Sequence, residues 1–253
     1  MRININTLLE YKASFILGIL SSLLYIFISF LFWGTIYSYT KTINGWTFGQ
    51  VMLVQGFFAM FLAFFWSIFH FSEHMDKLII YGGLDRFLVR PMNPLVAYMF
   101  EMFSVDIFGR LFSTIVFFWI ALQLGASMNI MNFAAAVVMV FLSSAIFALI
   151  LVALSSLAFW IGKMESVIAV FDLVWNISDY PITIFPVTAQ ILMTFGIPLA
   201  FMQTYPTLFT MQQLNLSYFL QLIVIEILLI FIWLQIATFV WNKGLKRYSS
   251  YGG

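Results

Sequence analysis

Few side chains in this sequence have the chemistry for catalysis or ligation, and most of those few stand in or beside long apolar runs. His70-Phe71-Ser72-Glu73-His74 matches the inverted zinc-protease pattern H-x-x-E-H, in which two imidazoles one helical turn apart hold a metal beside a glutamate base. These are the only 2 histidines in the chain, so a third ligand would have to be a distant carboxylate. The same five residues also fit the polar end of an apolar helix where it meets water. Glu165, Asp172 and Asp179 recur at intervals of seven, which falls about 20° short of two helical turns. All three carboxylates therefore share nearly one helical face.

An unpaired acid at mid-membrane costs on the order of 3 kcal/mol on insertion scales, so the position of Asp172 leaves two readings open. Its face, with Asp179, lines a hydrated path or a subunit interface, or Asp172 pairs with Arg110 or with a partner subunit as structural glue. Glu226 has no companion at helical spacing, whereas Asp106 and Arg110 form an i, i+4 pair expected to neutralise itself. Gly162-Lys163 lacks the upstream glycine and following Ser/Thr of a Walker A loop. The chain is therefore expected not to be an enzyme. The absence of cysteine excludes thiol chemistry, Cys-ligated zinc and disulfides.

The elements that must position these groups are set by composition. Hydrophobic residues make up 63% of the 253 residues and charged residues 8%, against roughly a quarter charged in a soluble domain. Such a chain needs lipid as its second solvent. A net charge of +1 gives no field that would attract nucleic acid. Runs poor in charge predict six transmembrane helices, near Phe15–Tyr37, Gly49–Phe71, Ser104–Leu122, Asn132–Trp160, 166–180 and Tyr218–Trp241.

With six spans, Arg2, Lys12, Lys77, Arg86, Arg90, Lys163, Lys243, Lys246 and Arg247 fall on one side and Lys41 alone on the other. The positive-inside rule then predicts a multi-pass protein of the cell membrane with both termini cytoplasmic. Residues 1–12 read as an interfacial helix, because Ile5, Leu8 and Leu9 share a face. Residues 73–97 form the one long charged loop. Residues 181–216 are apolar, but prolines at 181, 186, 198 and 206 divide them into pieces too short to cross a bilayer. They are expected to form a re-entrant segment from the outer face. Small residues Ser144 and Ala148 are expected to permit close helix packing, and Trp33, Trp46, Trp160 and Trp241 to form an interfacial aromatic belt.

The loop Gly82-Gly83-Leu84-Asp85-Arg86-Phe87-Leu88-Val89-Arg90-Pro91-Met92-Asn93-Pro94 resembles the G-x-L-D-R-F-L-x-R-P-x-N-P loop of an ABC-2 type permease family. Asn44-Gly45-Trp46-Thr47-Phe48-Gly49, Tyr180-Pro181 through Ile184-Phe185-Pro186, and Gly196-Ile197-Pro198-Leu199-Ala200-Phe201 are similar to that family as well. The resemblance implies an all-α fold of the ABC-2 (type V exporter) kind, one permease domain over residues 1–253. It also implies a second permease, either the same chain or a sister chain, and two cytoplasmic ABC ATPase subunits that carry the ATP and Mg. No cofactor would belong to this chain. In such exporters the loop here carrying Leu84, Asp85, Arg86, Phe87 and Arg90 couples to the ATPase. The segment here carrying Pro181, Pro186, Pro198 and Phe201 closes the outer gate. An ion- or proton-coupled secondary transporter is the alternative reading, since two three-span halves can form an inverted repeat.

Overall fold

The computed structural model describes residues 5–103, 107–162 and 177–249. Helix α1 spans Ile5–Tyr39 without a break, so the expected interfacial helix and first span are continuous. It ends in a tight turn in which Asn44 (φ 47°) and Gly45 (φ 85°) adopt left-handed backbone. Ile43 and Trp46 exchange both backbone hydrogen bonds across that turn at 3.0 Å, as a two-residue hairpin loop requires. Thr47 and Gln50 then form a capping box that starts α2, Phe48–Phe64.

The α2 helix does not end at Phe64. It continues through a π turn at Phe65–Phe69 and a 3-10 turn at His70–His74 into α3, Met75–Ile80. These turns disturb the regular ladder of backbone hydrogen bonds. Ser72 Oγ donates to the Phe69 carbonyl at 2.7 Å, and Ser155 Oγ donates to the Ser72 carbonyl at 3.1 Å. Side chains thus supply donors that apolar surroundings cannot.

After α4, Asp85–Leu88, and α5, Pro94–Met102, come α6, Ile107–Gln123, and α7, Ile130–Ser155. Asn93 and Asn129 cap α5 and α7 through their side-chain oxygens. A short α8, Ala158–Ile161, follows α7. Past the undescribed stretch, α9, Val187–Ile191, a π turn at Leu192–Gly196, a 3-10 turn at Leu199–Phe201 and α10, Thr204–Thr210, lead to α11, Leu216–Leu245.

Four helical stretches are long and apolar enough to cross a membrane: Leu17–Tyr39, Phe48–Ile80, Ile130–Ile161 and Leu216–Leu245. Val187–Gly196 and Leu199–Thr210 are bent by 84° at Ile197-Pro198 and make a fifth if counted as one span. Of the two remaining expected spans, the third is seen as the shorter apolar stretch Arg110–Gln123, with its first residues outside the described ones. The fifth lies almost wholly outside them.

The centre of the bundle is α2 with α7: 78% and 61% of their apolar windows are buried, against 22% for α1 and 11% for α11. Gly49 and Gly56 stand seven residues apart on α2 and let α6 approach closely. A β-carbon at Gly49 would lie 2.9 Å from the Leu124 carbonyl oxygen, and one at Gly56 would lie 2.5 Å from the Phe118 ring. Ser144 and Ala148 are buried, as close packing of α7 requires. The expected tryptophan belt is corrected by packing: Trp33, Trp46 and Trp241 are buried inside the chain, and of the four expected there Trp160 alone is exposed. Their rings close the protein's own helix junctions instead of facing the headgroups.

This packing predicts a contrast between two glycines. Gly49→Val meets rigid backbone and should cost about 1–3 kcal/mol, lowering Tm of the detergent-solubilised chain by ~5 °C. Gly18→Ala meets nothing within 4 Å and should leave Tm unchanged or slightly raised. Thermal melts of the two variants beside the parent check both.

Candidate functional site

A single amide organises the interior of the described bundle. Gln55 is the one strongly polar residue between Gln50 and Ser67 on α2, and it is buried among apolar side chains. A buried amide left without partners costs several kcal/mol, and three residues from two other segments answer it. Tyr25 and Ser29, one turn apart on α1, donate to Gln55 Oε1 at 3.1 and 3.2 Å. Gln55 Nε2 donates to the backbone carbonyl of Asp179 at 2.7 Å. The Tyr25 hydroxyl is also 3.5 Å from Asp179 Oδ1. Asp179, read from sequence as belonging to an acidic face, thus meets the first two spans. Asp172, Glu165 and Asp106 lie outside the described residues.

Two cavities share Tyr25 as a wall. One of about 250 Å³ is bounded by Ser29, Phe32, Trp33, Asp179 and Tyr180. The other, of about 140 Å³, is bounded by Ser21, Ser22, Arg110 and Ser113. The Arg110 guanidinium stands 5.7 Å from the Trp66 ring centroid. A polar seam therefore runs along α1 where it faces α2 and α6.

The bent segment is fixed by a second set of hydrogen bonds. Gln203 Nε2 donates to the carbonyls of Ser178 and Tyr180 at 2.8 and 3.0 Å, and Thr204 Oγ1 accepts from the Ile182 amide at 3.0 Å. Trp46 Nε1 donates to Thr183 Oγ1 at 2.7 Å, and Asn44 Nδ2 donates to the Thr183 carbonyl at 2.6 Å. Asn132 Nδ2 donates to the Phe209 carbonyl at 2.9 Å. Pro181, Pro198 and Phe201 are buried in this segment, while Pro186 is exposed.

At the other end, Leu84 and Phe87 are fully buried in a cluster with Met75, Tyr98, Ala153 and Trp241. They anchor the loop from within, while Arg86, Leu88, Val89, Arg90 and Met92 are exposed and Asp85 is partly buried. Arg86 Nη2 lies 2.6 Å from Glu101 Oε1 and Arg90 Nη2 3.5 Å from Oε2. Both guanidiniums also approach the Phe87 ring, at 4.7 and 4.9 Å from its centroid. Burial, and then the neighbouring Asp85 carboxylate, push the Tyr248 hydroxyl up to about 12. It stays neutral at any physiological pH. The chain after α11 packs on α8 through the Tyr248 ring, whose centroid is 6.0 Å from that of Phe159.

The histidine motif forms a compact group, with His70 Nδ1 3.8 Å from Glu73 Oε2 and the two imidazole centroids 4.5 Å apart. Among the described residues, no three His, Asp or Glu side chains converge as a metal centre requires. Glu226 is fully buried on α11, and neither carboxylate oxygen has a hydrogen-bond partner among the described residues.

Sequence reasoning passed over Gln55, Tyr25, Ser29, Gln203 and Thr204. The available signal was the isolated amide in an otherwise apolar helix, which demands partners from elsewhere.

A family model described as ABC-2 family transporter protein matches residues 23–252, from within α1 to beyond α11. Neither a curated protein nor a solved structure matches the chain. The match takes in every apolar helix, the charged loop and the bent segment, and the chain belongs to the ABC-2 family of transporter proteins.

Proposed function

We propose that this chain is the membrane-spanning permease subunit of an ATP-binding cassette exporter. It would pair with a second permease and be energised by separate cytoplasmic ATPase subunits that hold ATP and Mg. The observation that carries this reading beyond family membership is the construction of the loop at residues 84–101. Leu84 and Phe87 bolt it to the ends of α7 and α11, while Glu101 holds two half-exposed arginines outward. A surface of exposed arginines and apolar side chains, mounted firmly on the transmembrane helices, is what a motor needs in order to move them.

In this reading the chain crosses the cell membrane six times, with both termini cytoplasmic and the first turns of α1 emerging at the inner interface. Residues 181–216 enter from outside as a re-entrant gate, and the 84° bend at Ile197-Pro198 supports that. Asp172 and Asp179 face the path or the permease–permease interface. Proton coupling is the second reading, and the buried Glu226 is what favours it, since ionisable groups inside a membrane commonly mark ion pathways. Co-purification with an ABC ATPase and ATP-dependent transport support the first reading. Transport driven by a proton gradient without any ATPase would establish the second.

The loop and the charge distribution each give an expected outcome. Arg86→Glu should weaken ATPase assembly or uncouple hydrolysis from transport by roughly tenfold. The swap Arg86→Glu with Glu101→Arg restores the intrachain pair. Continued uncoupling in the swap, measured as ATP hydrolysed per substrate moved, means that Arg86 touches the ATPase, and full recovery means that it only braces the loop. For topology, Ser249→Cys gives a single-cysteine protein, because the native chain has none. An impermeant maleimide should label it only after the cells are permeabilised, and labelling of intact cells would place the C-terminus outside.

A further inference from the structure

The larger of the two cavities along α1 is walled by aromatic rings around one carboxylate. Phe32, Trp33 and Tyr180 have centroids 5.4, 5.4 and 6.4 Å apart and are mutually inclined by 79°, 66° and 81°. The three rings form a corner instead of a stack. Tyr25 and Ser29 close the side toward α2, and Asp179 stands in the remaining wall. Among the described residues, the only hydrogen bond to the Asp179 carboxylate is the 3.5 Å contact with Tyr25. The structural bond of this residue is made by its backbone carbonyl, which accepts from Gln55 at 2.7 Å. The carboxylate is thus available to a ligand without dismantling the polar knot.

We propose that this cavity binds the organic ammonium head of a cationic amphiphile, a reading that rests on the permease function above and assigns its cargo class. Ring faces carry negative electrostatic potential and attract weakly hydrated cations, tryptophan most strongly. A carboxylate in the same enclosure adds direct Coulomb attraction. A hard metal ion would need six or so oxygen ligands, and one carboxylate with two hydroxyls does not supply them. An anionic head would be repelled by Asp179 and belongs instead, if anywhere, beside Arg110 across Tyr25.

The volume argues for a headgroup alone. At about 250 Å³ the cavity is smaller than the ~300–1,000 Å³ of sites that enclose whole drug-sized ligands. Its outer lip carries Ile28 and Phe32, 57% and 45% exposed. An apolar tail therefore leaves over that lip toward lipid or a partner permease. A head held by Asp179 with its tail in the membrane needs no aqueous vestibule of its own.

Hexyltrimethylammonium, hexanol and hexyl sulfate, titrated calorimetrically into the purified full chain in maltoside micelles, test the proposal without any ATPase. Saturable binding of the ammonium compound, weakened roughly tenfold by Asp179→Asn and by Trp33→Leu but less by Trp33→Phe, is expected. Asp179→Asn keeps the backbone carbonyl that Gln55 uses, so it decides the matter even where Trp33→Leu fails to fold. Equal affinity for hexanol, preference for hexyl sulfate, or Asp179→Asn binding within about twofold of the parent overturns the ammonium site. Co-purification with an ABC ATPase is scored separately on the same preparations, so loss of this site leaves the permease reading standing.

Discussion

Inside a membrane a polar group has no water to fall back on, so every amide and carbonyl away from the headgroups must be answered by the chain itself. Gln55 is where that constraint acts most strongly. Its side chain accepts from two residues of α1 and donates to the backbone at Asp179. Removing any one of these segments leaves a buried amide incompletely satisfied, at about 1–3 kcal/mol for each lost bond. The mutual rotation of α1 and α2 and the start of the bent segment all follow from satisfying this one group. Gln203 has the same role in the bent segment itself, donating to two carbonyls that no regular helix claims.

Shape complementarity supplies what hydrogen bonds cannot. Lipid is as apolar as the helix surfaces, so burial of hydrocarbon alone gives little reason for helices to associate. Here association runs through small residues: Gly49 and Gly56 against α6, and Gly244 against the Phe159 ring. At Gly244 a β-carbon would run directly into that ring. The same cluster holds Trp241 and reaches Phe87 of the charged loop. Through it the end of α11, the short α8 and the loop form one packed unit. Packed side chains thus run without a gap from the loop into α7 and α11.

The irregular turns lie between the buried core of α2 and the charged loop. Between Phe65 and His74 the second long helix passes through π and 3-10 geometry, and such interruptions often occur at functional positions. Ser155 on α7 reaches across to the Ser72 carbonyl. The H-x-x-E-H residues lie in this turn, where they mark the transition from apolar helix to charged loop.

What the sequence alone determined is local. Charge-free runs marked the apolar helices, glycine and asparagine marked the turns, proline marked the broken segment, and the charged loop stood out because nothing else so polar separates two apolar runs. Asp179 and Arg86 were legible as residues of interest because charge is rare in such a chain. The tertiary structure decided which of these residues meet, and on which side each is presented. Tyr25, Gln55 and Asp179 are separated by as many as 154 positions yet form one network. Leu84 and Phe87 turn inward while their neighbours Arg86 and Arg90 turn outward. Three tryptophans that read as a membrane belt are interior. For the central helices α2 and α7 the rotation was illegible because, Gln55 aside, they are apolar nearly all round. A helix without a polar face carries no periodic signal of which side is buried. Its rotation is set only when small residues find close neighbours and a few polar side chains find partners from distant stretches of the chain.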